Sequence, residues 1–483
     1  MTTKEQQIRY VREVRLPQVR EKLRPYQAEG VDIMDKRTRW LECDDMGLGK
    51  TVTCLTSFLT RTDWQHSRAL ILCGTNAMGV WNEELRKWFG IRALNYHGTP
   101  AQRKKIWANF ERDEGIKFLI TTYAMLKELP KGWDGLFADE YHMFGIMNHK
   151  TQTSKLLEQH MPSFKYVYLI TGTPIRQGVI DLYNPLHLMD PGKFKNYWSF
   201  VNRYCITIQT PFGKSIERNP KNIPEFREML NQYMVRRMKV DVLKDLPGKQ
   251  RNVVPVEMTA KQAAAYEALK NDMIYEGAED ESPIIAPNQM VVDLRLRQLL
   301  VCPRLLGIDD DGAGFAYLSE VVPNLLLAGR PVCFFTPFRE AIPLMEDLIK
   351  GWGLGTDVYV LQGGMTPIAF AMQWQTFQST ANKNKVMLCV IKSAASYDAY
   401  EAADGFFLGY EWDFNLNVQG EDRMCRLGQQ NFVNCNYILH VGDTVDDLVK
   451  EKLNEKQMAA DWIIGSREVY EAMWKKVRKT RDE

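Results

Sequence analysis

The 483-residue sequence contains no C-x-x-C pair, no apolar run long enough to cross a bilayer, and almost no excess of charge. Its nine cysteines (Cys43, Cys54, Cys73, Cys205, Cys302, Cys333, Cys389, Cys425 and Cys435) are scattered. That scatter argues against a zinc knuckle and against a disulfide framework, and leaves reduced thiols as the expectation. The opening Met1-Thr2-Thr3-Lys4-Glu5-Gln6-Gln7 lacks an apolar signal-peptide core, so a soluble intracellular protein is expected, with no membrane partner. Formal net charge is only +2, so no global field announces nucleic acid and any basic surface must be local. What is present is ordinary globular composition, 45% hydrophobic and 25% charged. The length exceeds one core and predicts two or three domains.

The most informative stretch is Asp44-Asp45-Met46-Gly47-Leu48-Gly49-Lys50-Thr51. Arg39-Trp40-Leu41-Glu42-Cys43 before it can end a strand, and Val52 to Leu59 after it is apolar at helical spacing. Strand, glycine-containing loop and helix N-terminus together form an anion site, because backbone N–H groups and the helix dipole both favour negative charge. Lys50 would reach the β- and γ-phosphates of a nucleotide, and the Thr51 hydroxyl would help to hold Mg²⁺. Asp44 stands where the first glycine of G-x-x-x-x-G-K-[ST] usually sits.

Further apolar strands are predicted at Arg68–Cys73, Lys117–Tyr123, Leu136–His142 and Tyr166–Ile170, the first followed by a helix from Trp81 to Trp88. Asp139 and Glu140 directly follow an apolar run, where a parallel α/β sheet keeps its metal and water chemistry. Asp139 would hold Mg²⁺ through water, and Glu140 would polarise the attacking water. His142 would link this site to whatever moves, with a surface-loop histidine as the plain alternative. Thr171-Gly172-Thr173-Pro174 could relay hydrogen bonds from a phosphate site toward another surface, or be a simple turn. Four strand-plus-helix units in under two hundred residues make a parallel α/β sheet the economical fold.

Elsewhere the signals are softer. Residues 1–21 suit a short amphipathic helix, with Val11, Val14 and Leu16 among arginines. Leu23-Arg24-Pro25-Tyr26-Gln27 leads into a helix, and a Gln side chain matches the N6/N7 edge of adenine. The aromatics Phe194, Tyr197, Trp198, Phe200 and Tyr204, with Pro211-Phe212-Gly213-Lys214, are read mostly as core. Acidic, Pro-containing residues 276–288 read as a loop insert. A second α/β set has strands near residues 331–335, 357–361, 386–390, 405–408 and 432–439 and no phosphate loop. There Gln419, Arg423 and Arg426 fall on one predicted helix, with arginines three apart on one face.

In order, LRPYQ, DDMGLGKT, ITTY, ADEYH, ITGTP and QGEDRMCRLGQ resemble the motifs of superfamily-two helicase-like ATPases of the Swi/Snf family. The last is the most specific: the family's Q-A-x-D-R-x-H-R-I-G-Q is matched at Gln419, Asp422, Arg423, Arg426, Gly428 and Gln429. Arg236-Arg237-Met238-Lys239 with Leu246-Pro247-Gly248-Lys249, Leu296-Arg297-Gln298 with Cys302-Pro303, and Gly442-Asp443-Thr444-Val445-Asp446 add weaker matches. Asp45 and Cys425 depart mildly from the pattern, and Lys392 to Asp398, around Tyr397, is glycine-free where the family is glycine-rich. The wording leans toward the branch containing annealing helicases, and no accessory module is recognisable.

The resemblance implies two RecA-like parallel-sheet lobes with ATP in the cleft between them: an N-terminal extension at 1–21, lobe one at 22–235, lobe two at 236–465 and a basic tail at 466–483. It implies Lys50, Asp139, Glu140, Arg423 and Arg426 as catalytic, and Arg24, Gln27, Gly47, Gly49, Lys50, Thr51 and Gln419 at the nucleotide. Thr51 and Asp139 would serve Mg²⁺, and Thr121, Thr122, His142, Thr171 and Thr173 would couple the site to DNA. The implied activity is ATP-driven translocation on duplex DNA. A strand-separating helicase and an ATP-gated DNA clamp with little turnover remain alternatives.

Overall fold

The computed structural model describes residues 9–454 apart from 63–65, 113–116, 130–131, 211–212, 244–246, 276–283, 394–398, 427, 443 and 452. The chain forms two compact units divided at Lys244/Asp245. Each is built on its own parallel sheet.

In the first unit the strands are β1 (Arg39–Glu42), β2 (Arg68–Leu72), β3 (Leu94–Asn95), β4 (Lys117–Thr121), β5 (Gly135–Asp139) and β6 (Tyr166–Ile170). An antiparallel hairpin, β7 (Cys205–Thr210) and β8 (Gly213–Pro220), stands apart, and β9 (Met234–Val235) closes the edge. The order is β3-β4-β2-β5-β6-β1-β9, with every pair parallel. Alternate side chains enter two cores: Leu70, Leu119, Leu136 and Leu169 on one face, Ile71, Phe118, Phe137 and Tyr168 on the other. Burial on both faces is why these strands read as unbroken apolar runs.

The second unit contains β10 (Lys249–Val256), a small hairpin of β11 (Ile274–Tyr275) and β12 (Ile284–Ile285), β13 (Val332–Thr336), β14 (Asp357–Leu361), β15 (Lys385–Val390), β16 (Asp404–Leu408) and β17 (Val433–His440). The main sheet runs β10-β17-β16-β13-β15-β14, again all parallel. Phe335, Phe407 and Tyr437 stack across three neighbouring strands, with ring centroids 4.4 Å apart at each step.

The expected strands are all present, and the α/β class holds. Several elements were not anticipated. β3 and β9 have two residues each, too short to show a period, and β10 is a polar edge strand containing Pro255, which only an edge tolerates. Near the N-terminus a π-helical turn, Val11–Arg15, precedes the helix Leu16–Lys22. Its wider spacing buries Val11 and Leu16 together and leaves Val14 exposed. Phe194, Phe200 and Tyr204 are core, as read, whereas Trp198 is exposed. All nine cysteines are buried free thiols. Among the described residues no helix is long and apolar enough to cross a membrane. The glycine-free stretch around Tyr397, most of the acidic insert and the basic tail lie outside the described residues.

Candidate active site

β5, β6 and β1 are adjacent and parallel, so their carboxyl ends deliver three loops to one place. From β1 comes the phosphate loop. Gly47 and Gly49 hold left-handed φ values of 78° and 79°, and a Cβ on Gly49 would run into the Gln27 amide. The helix Lys50–Arg61 starts at once, with no side chain capping its N-terminus. Its first amides are therefore left for an anion. Lys50 Nζ donates to the loop's own carbonyls, at 3.1 Å to Asp44 and 3.4 Å to Asp45. Thr51 is half-buried on the first turn.

Asp44 departs from glycine because it is a buried anchor. It receives the Arg237 backbone N–H at 2.8 Å and the Arg237 guanidinium at 2.5 Å. Asp45 receives Arg236 at 3.3 Å and the Lys239 backbone N–H at 2.9 Å, and Arg236 also donates to the carbonyls of Cys43 and Gly172. Arg236 to Lys239, expected to open lobe two, are thus stitched to the phosphate loop, which is why the first unit continues past residue 235. Behind the loop, Glu42 is fully buried, and neither carboxyl oxygen has a hydrogen-bond partner. Burial first, then the charge of Asp44, pushes this acid well above the usual carboxylate range.

From β5 come Asp139 and Glu140. Burial, and then the neighbouring Glu140 charge, lifts the Asp139 carboxyl to about 6, while Trp81 and Lys50 pull it back. The Trp81 indole N–H donates to Asp139 Oδ2 at 2.8 Å, and the Tyr123 hydroxyl donates to the Asp139 carbonyl at 2.8 Å. Glu140 adopts a left-handed φ of 45°, strained for a residue with a Cβ. Its Oε2 lies 3.1 Å from His142 Nδ1 and 3.3 Å from Thr171 Oγ1.

From β6 comes Thr171-Gly172-Thr173. Thr171 Oγ1 lies 2.7 Å from His142 Nδ1 and accepts the Thr173 backbone N–H at 2.9 Å. With Nδ1 protonated, the imidazole and the Thr171 hydroxyl can both donate to Glu140 and orient it. A Cβ on Gly172 would sit 2.8 Å from Met46 Cγ and 3.5 Å from Lys50 Nζ, so this turn needs glycine to pack on the phosphate loop. The structure therefore brings Lys50, Asp139, Glu140, His142, Thr171 and Thr173 together.

Other expected residues fall differently. Thr121 is fully buried and its hydroxyl donates to the Tyr96 carbonyl at 2.8 Å, so only Thr122 of that pair reaches a surface, in a cleft of about 290 Å³. Gln27 accepts the Arg24 backbone N–H at 3.0 Å and donates to the Leu48 carbonyl at 2.9 Å, tying the helix Pro25–Met34 to the phosphate loop. Tyr26 is covered by the Arg237 guanidinium, 5.5 Å from its ring centre, and does not present an open face. Trp81, Tyr123, Arg236 and Arg237 were not singled out as site residues. Their only signal was position, just after a strand or just inside a motif.

In the second unit Gln419 and Arg423 are buried on the helix Phe414–Met424, and Arg426 is half-buried just beyond it. Arg426 Nε donates to the Asp422 carbonyl at 3.2 Å. Glu421 anchors the helix, accepting from Lys249 at 2.8 Å, Arg251 at 2.5 Å and the Tyr437 hydroxyl at 2.7 Å. Asp422 also accepts from Lys249, at 2.9 Å.

A family model described as the SNF2-related domain matches residues 26–305, more than half of the chain. The chain belongs to the SNF2-related family. The matched span holds every first-unit residue of the site from Gln27 to Thr173 and ends before Gln419, Arg423 and Arg426. Among family relatives, the CHD3-type chromatin-remodeling factor CHR7 of Arabidopsis thaliana is 25% identical over 92% of this chain and 37% of its own length. The SWI/SNF-related matrix-associated actin-dependent regulator of chromatin subfamily A-like protein 1 of Xenopus tropicalis is 26% identical over 92% of this chain and 45% of its own. The DNA annealing helicase and endonuclease ZRANB3 of Mus musculus is 24% identical over 94% and 42%. The chain spans less than half the length of these relatives. A solved structure, the Sulfolobus solfataricus SWI2/SNF2 ATPase core in complex with dsDNA, is 24% identical over 93% of this chain and 94% of that one, with a TM-score of 0.41.

Proposed function

We propose that this chain is a DNA-dependent ATPase that couples ATP hydrolysis to movement along duplex DNA. The observation that carries the proposal is the meeting of phosphate loop, Asp139–Glu140 pair and Thr171–Thr173 turn at the ends of three adjacent strands. In this reading Gly47, Gly49 and the first amides of the helix Lys50–Arg61 cradle the phosphates, and Lys50 leaves the loop carbonyls for them. Arg24, Gln27 and Gln419 belong to the nucleotide side. Glu140, oriented by His142 and Thr171, takes the proton of the attacking water. His142, Thr122 and Thr173 carry the state of the phosphates toward DNA.

Mg²⁺ fits the residues present. Two adjacent carboxylates, one of them raised to about 6 by burial and by its neighbour, are relieved by a dication. Asp139, through water, and Thr51 would hold it, and when bound it neutralises charge on the transferring phosphoryl group. Arg423 and Arg426 of the second unit are proposed to meet the charge that develops in the transition state, so that turnover needs both units.

Duplex DNA is the proposed track. The relatives' printed names include a DNA annealing helicase and chromodomain-helicase-DNA-binding proteins. The acidic stretch 276–288 carries Glu279-Asp280-Glu281, which phosphates on both strands would repel, making it a poor wedge for strand separation. Hydrolysis rates with no nucleic acid, single strands, duplex, forked DNA and RNA test the proposal. Stimulation that is greatest with duplex and rises with its length, with ATP-dependent displacement of a triplex third strand, supports it. Unwinding of a flanked duplex driven best by single strands favours the helicase alternative, and tight ATP-gated binding without turnover favours the clamp.

A further inference from the structure

The geometry points to Trp81 as the positioning residue for the metal-side carboxylate: its indole N–H sets the orientation of Asp139, and so the affinity of the site for Mg²⁺. This inference rests on the reading of Asp139 given above.

An aspartate carboxylate turns freely about its last torsion, whose energy profile is broad. Half-buried at the end of β5, Asp139 needs an external group to fix its plane. The indole N–H reaches Oδ2 at 2.8 Å, the length of a charge-assisted hydrogen bond. Trp81 is itself held rigidly: 2% exposed, on the helix Met78–Glu84 that follows β2, with its ring 5.9 Å from Phe137 of β5. A buried indole needs an acceptor, and a backbone carbonyl would satisfy it. The Asp139 carbonyl accepts the Tyr123 hydroxyl at 2.8 Å, whereas the indole is aimed at the carboxylate. Two aromatic donors from different elements therefore converge on one aspartate, one on its main chain and one on its side chain. With Oδ2 fixed, the direction of the remaining lone pairs is fixed as well. Outer-shell donors of this kind typically change metal affinity by about 10–100-fold when removed.

The test compares Trp81→Phe with the wild type in two titrations of Mg²⁺, one following ATP hydrolysis and one following the affinity for a fluorescent ADP. Trp88→Phe is the control, because it removes an indole bond to Glu84 and touches nothing at Asp139. Trp81→Phe should raise the Mg²⁺ concentration for half-maximal rate by about 10-fold or more. Nucleotide affinity in EDTA should stay near wild type, and kcat should largely recover at saturating Mg²⁺. A role confined to packing would instead lower the melting temperature and leave the Mg²⁺ requirement alone. If Trp81→Phe does not fold, benzothienylalanine at position 81 keeps the ring shape and removes only the N–H. A wild-type Mg²⁺ requirement in whichever folded variant is measured overturns the proposal. Asp139→Asn separates the two readings. If it too keeps the wild-type requirement, the metal role of Asp139 is what fails; if it loses Mg²⁺ dependence while the Trp81 variants do not, only the role of Trp81 falls.

Discussion

Two pairs of adjacent acids, Asp139–Glu140 in the first unit and Glu421–Asp422 in the second, are treated in opposite ways. Glu421 and Asp422 are neutralised within their own unit. Burial alone would raise Glu421, yet Lys249 and Arg251 hold it below the ordinary carboxylate range. Asp139 accepts from the Trp81 indole, and Glu140 lies against the Thr171 hydroxyl and the His142 imidazole. Burial and mutual repulsion then push Asp139 up. One pair is held by two cations and anchors a helix; in the other, no cation among the described residues is bonded to Asp139 and burial leaves its carboxyl raised. Adjacent acids are therefore not diagnostic by themselves; what the fold packs beside each one sets its charge.

The sharpest way to break this contrast is at the Asp139–Glu140 pair and the lysine beside it. Lys50→Ala is expected to abolish hydrolysis with the fold intact, and Glu140→Gln to lower kcat by roughly 10²–10⁴-fold while nucleotide still binds. Single-turnover rates and nucleotide titration check both, and a Glu140→Gln enzyme within a few-fold of wild type would remove Glu140 from the acid–base role. Arg426→Ala, just beyond the satisfied pair, should lower turnover by roughly 10³-fold with a much smaller change in ATP affinity. Wild-type kinetics there would make the second-unit arginines structural.

Stability effects follow. Lys249→Met removes one cation from both Asp422 and Glu421, and should cost about 3 kcal/mol, the lower end for breaking a buried pair because Lys249 keeps some solvent. Its loss should appear as a lower urea midpoint at neutral pH. The contribution of Glu421, whose folded pKa is depressed, is present above its unfolded value near 4.5 and is lost as pH falls through the lower folded value. Asp139 has the opposite sign. Its folded value near 6 exceeds the unfolded one, so ionisation costs stability progressively as pH rises from about 4 to 6, and the full cost persists above. Asp139→Asn should therefore melt higher than wild type at pH 8 and match it at pH 4. The smallest change expected is at Glu42, where Glu42→Leu removes a fully buried acid packed beside Asp44 and should stabilise by about 1–3 kcal/mol at neutral pH. A destabilised Glu42→Leu would mean that the acid has a partner in solution.

Much of the fold was legible because its strands are buried on both faces, and buried parallel strands announce themselves as short apolar runs between turn residues. The placing of Lys50, Asp139 and Glu140 together was legible because each follows an apolar strand at a fixed short distance. The roles of Trp81, Arg236 and Arg237 were not. Trp81 lies 58 positions from Asp139, and Arg237 lies 193 from Asp44, separations across which no periodicity or spacing rule operates. Thr121 and Thr122 look equivalent as letters, but strand alternation sends one inward to Tyr96 and the other to a surface.

By itself, then, the sequence determined two parallel α/β units, a glycine loop opening a helix and two acids at the end of an apolar strand, because period and local motif are properties of the chain. Only the tertiary structure decided that Asp44 is an anchor, that Glu421 is neutralised while Asp139 is not, and that an indole and a phenol fix Asp139. Charge compensation and hydrogen-bond direction depend on which distant side chains arrive at the same point, and packing alone sets that.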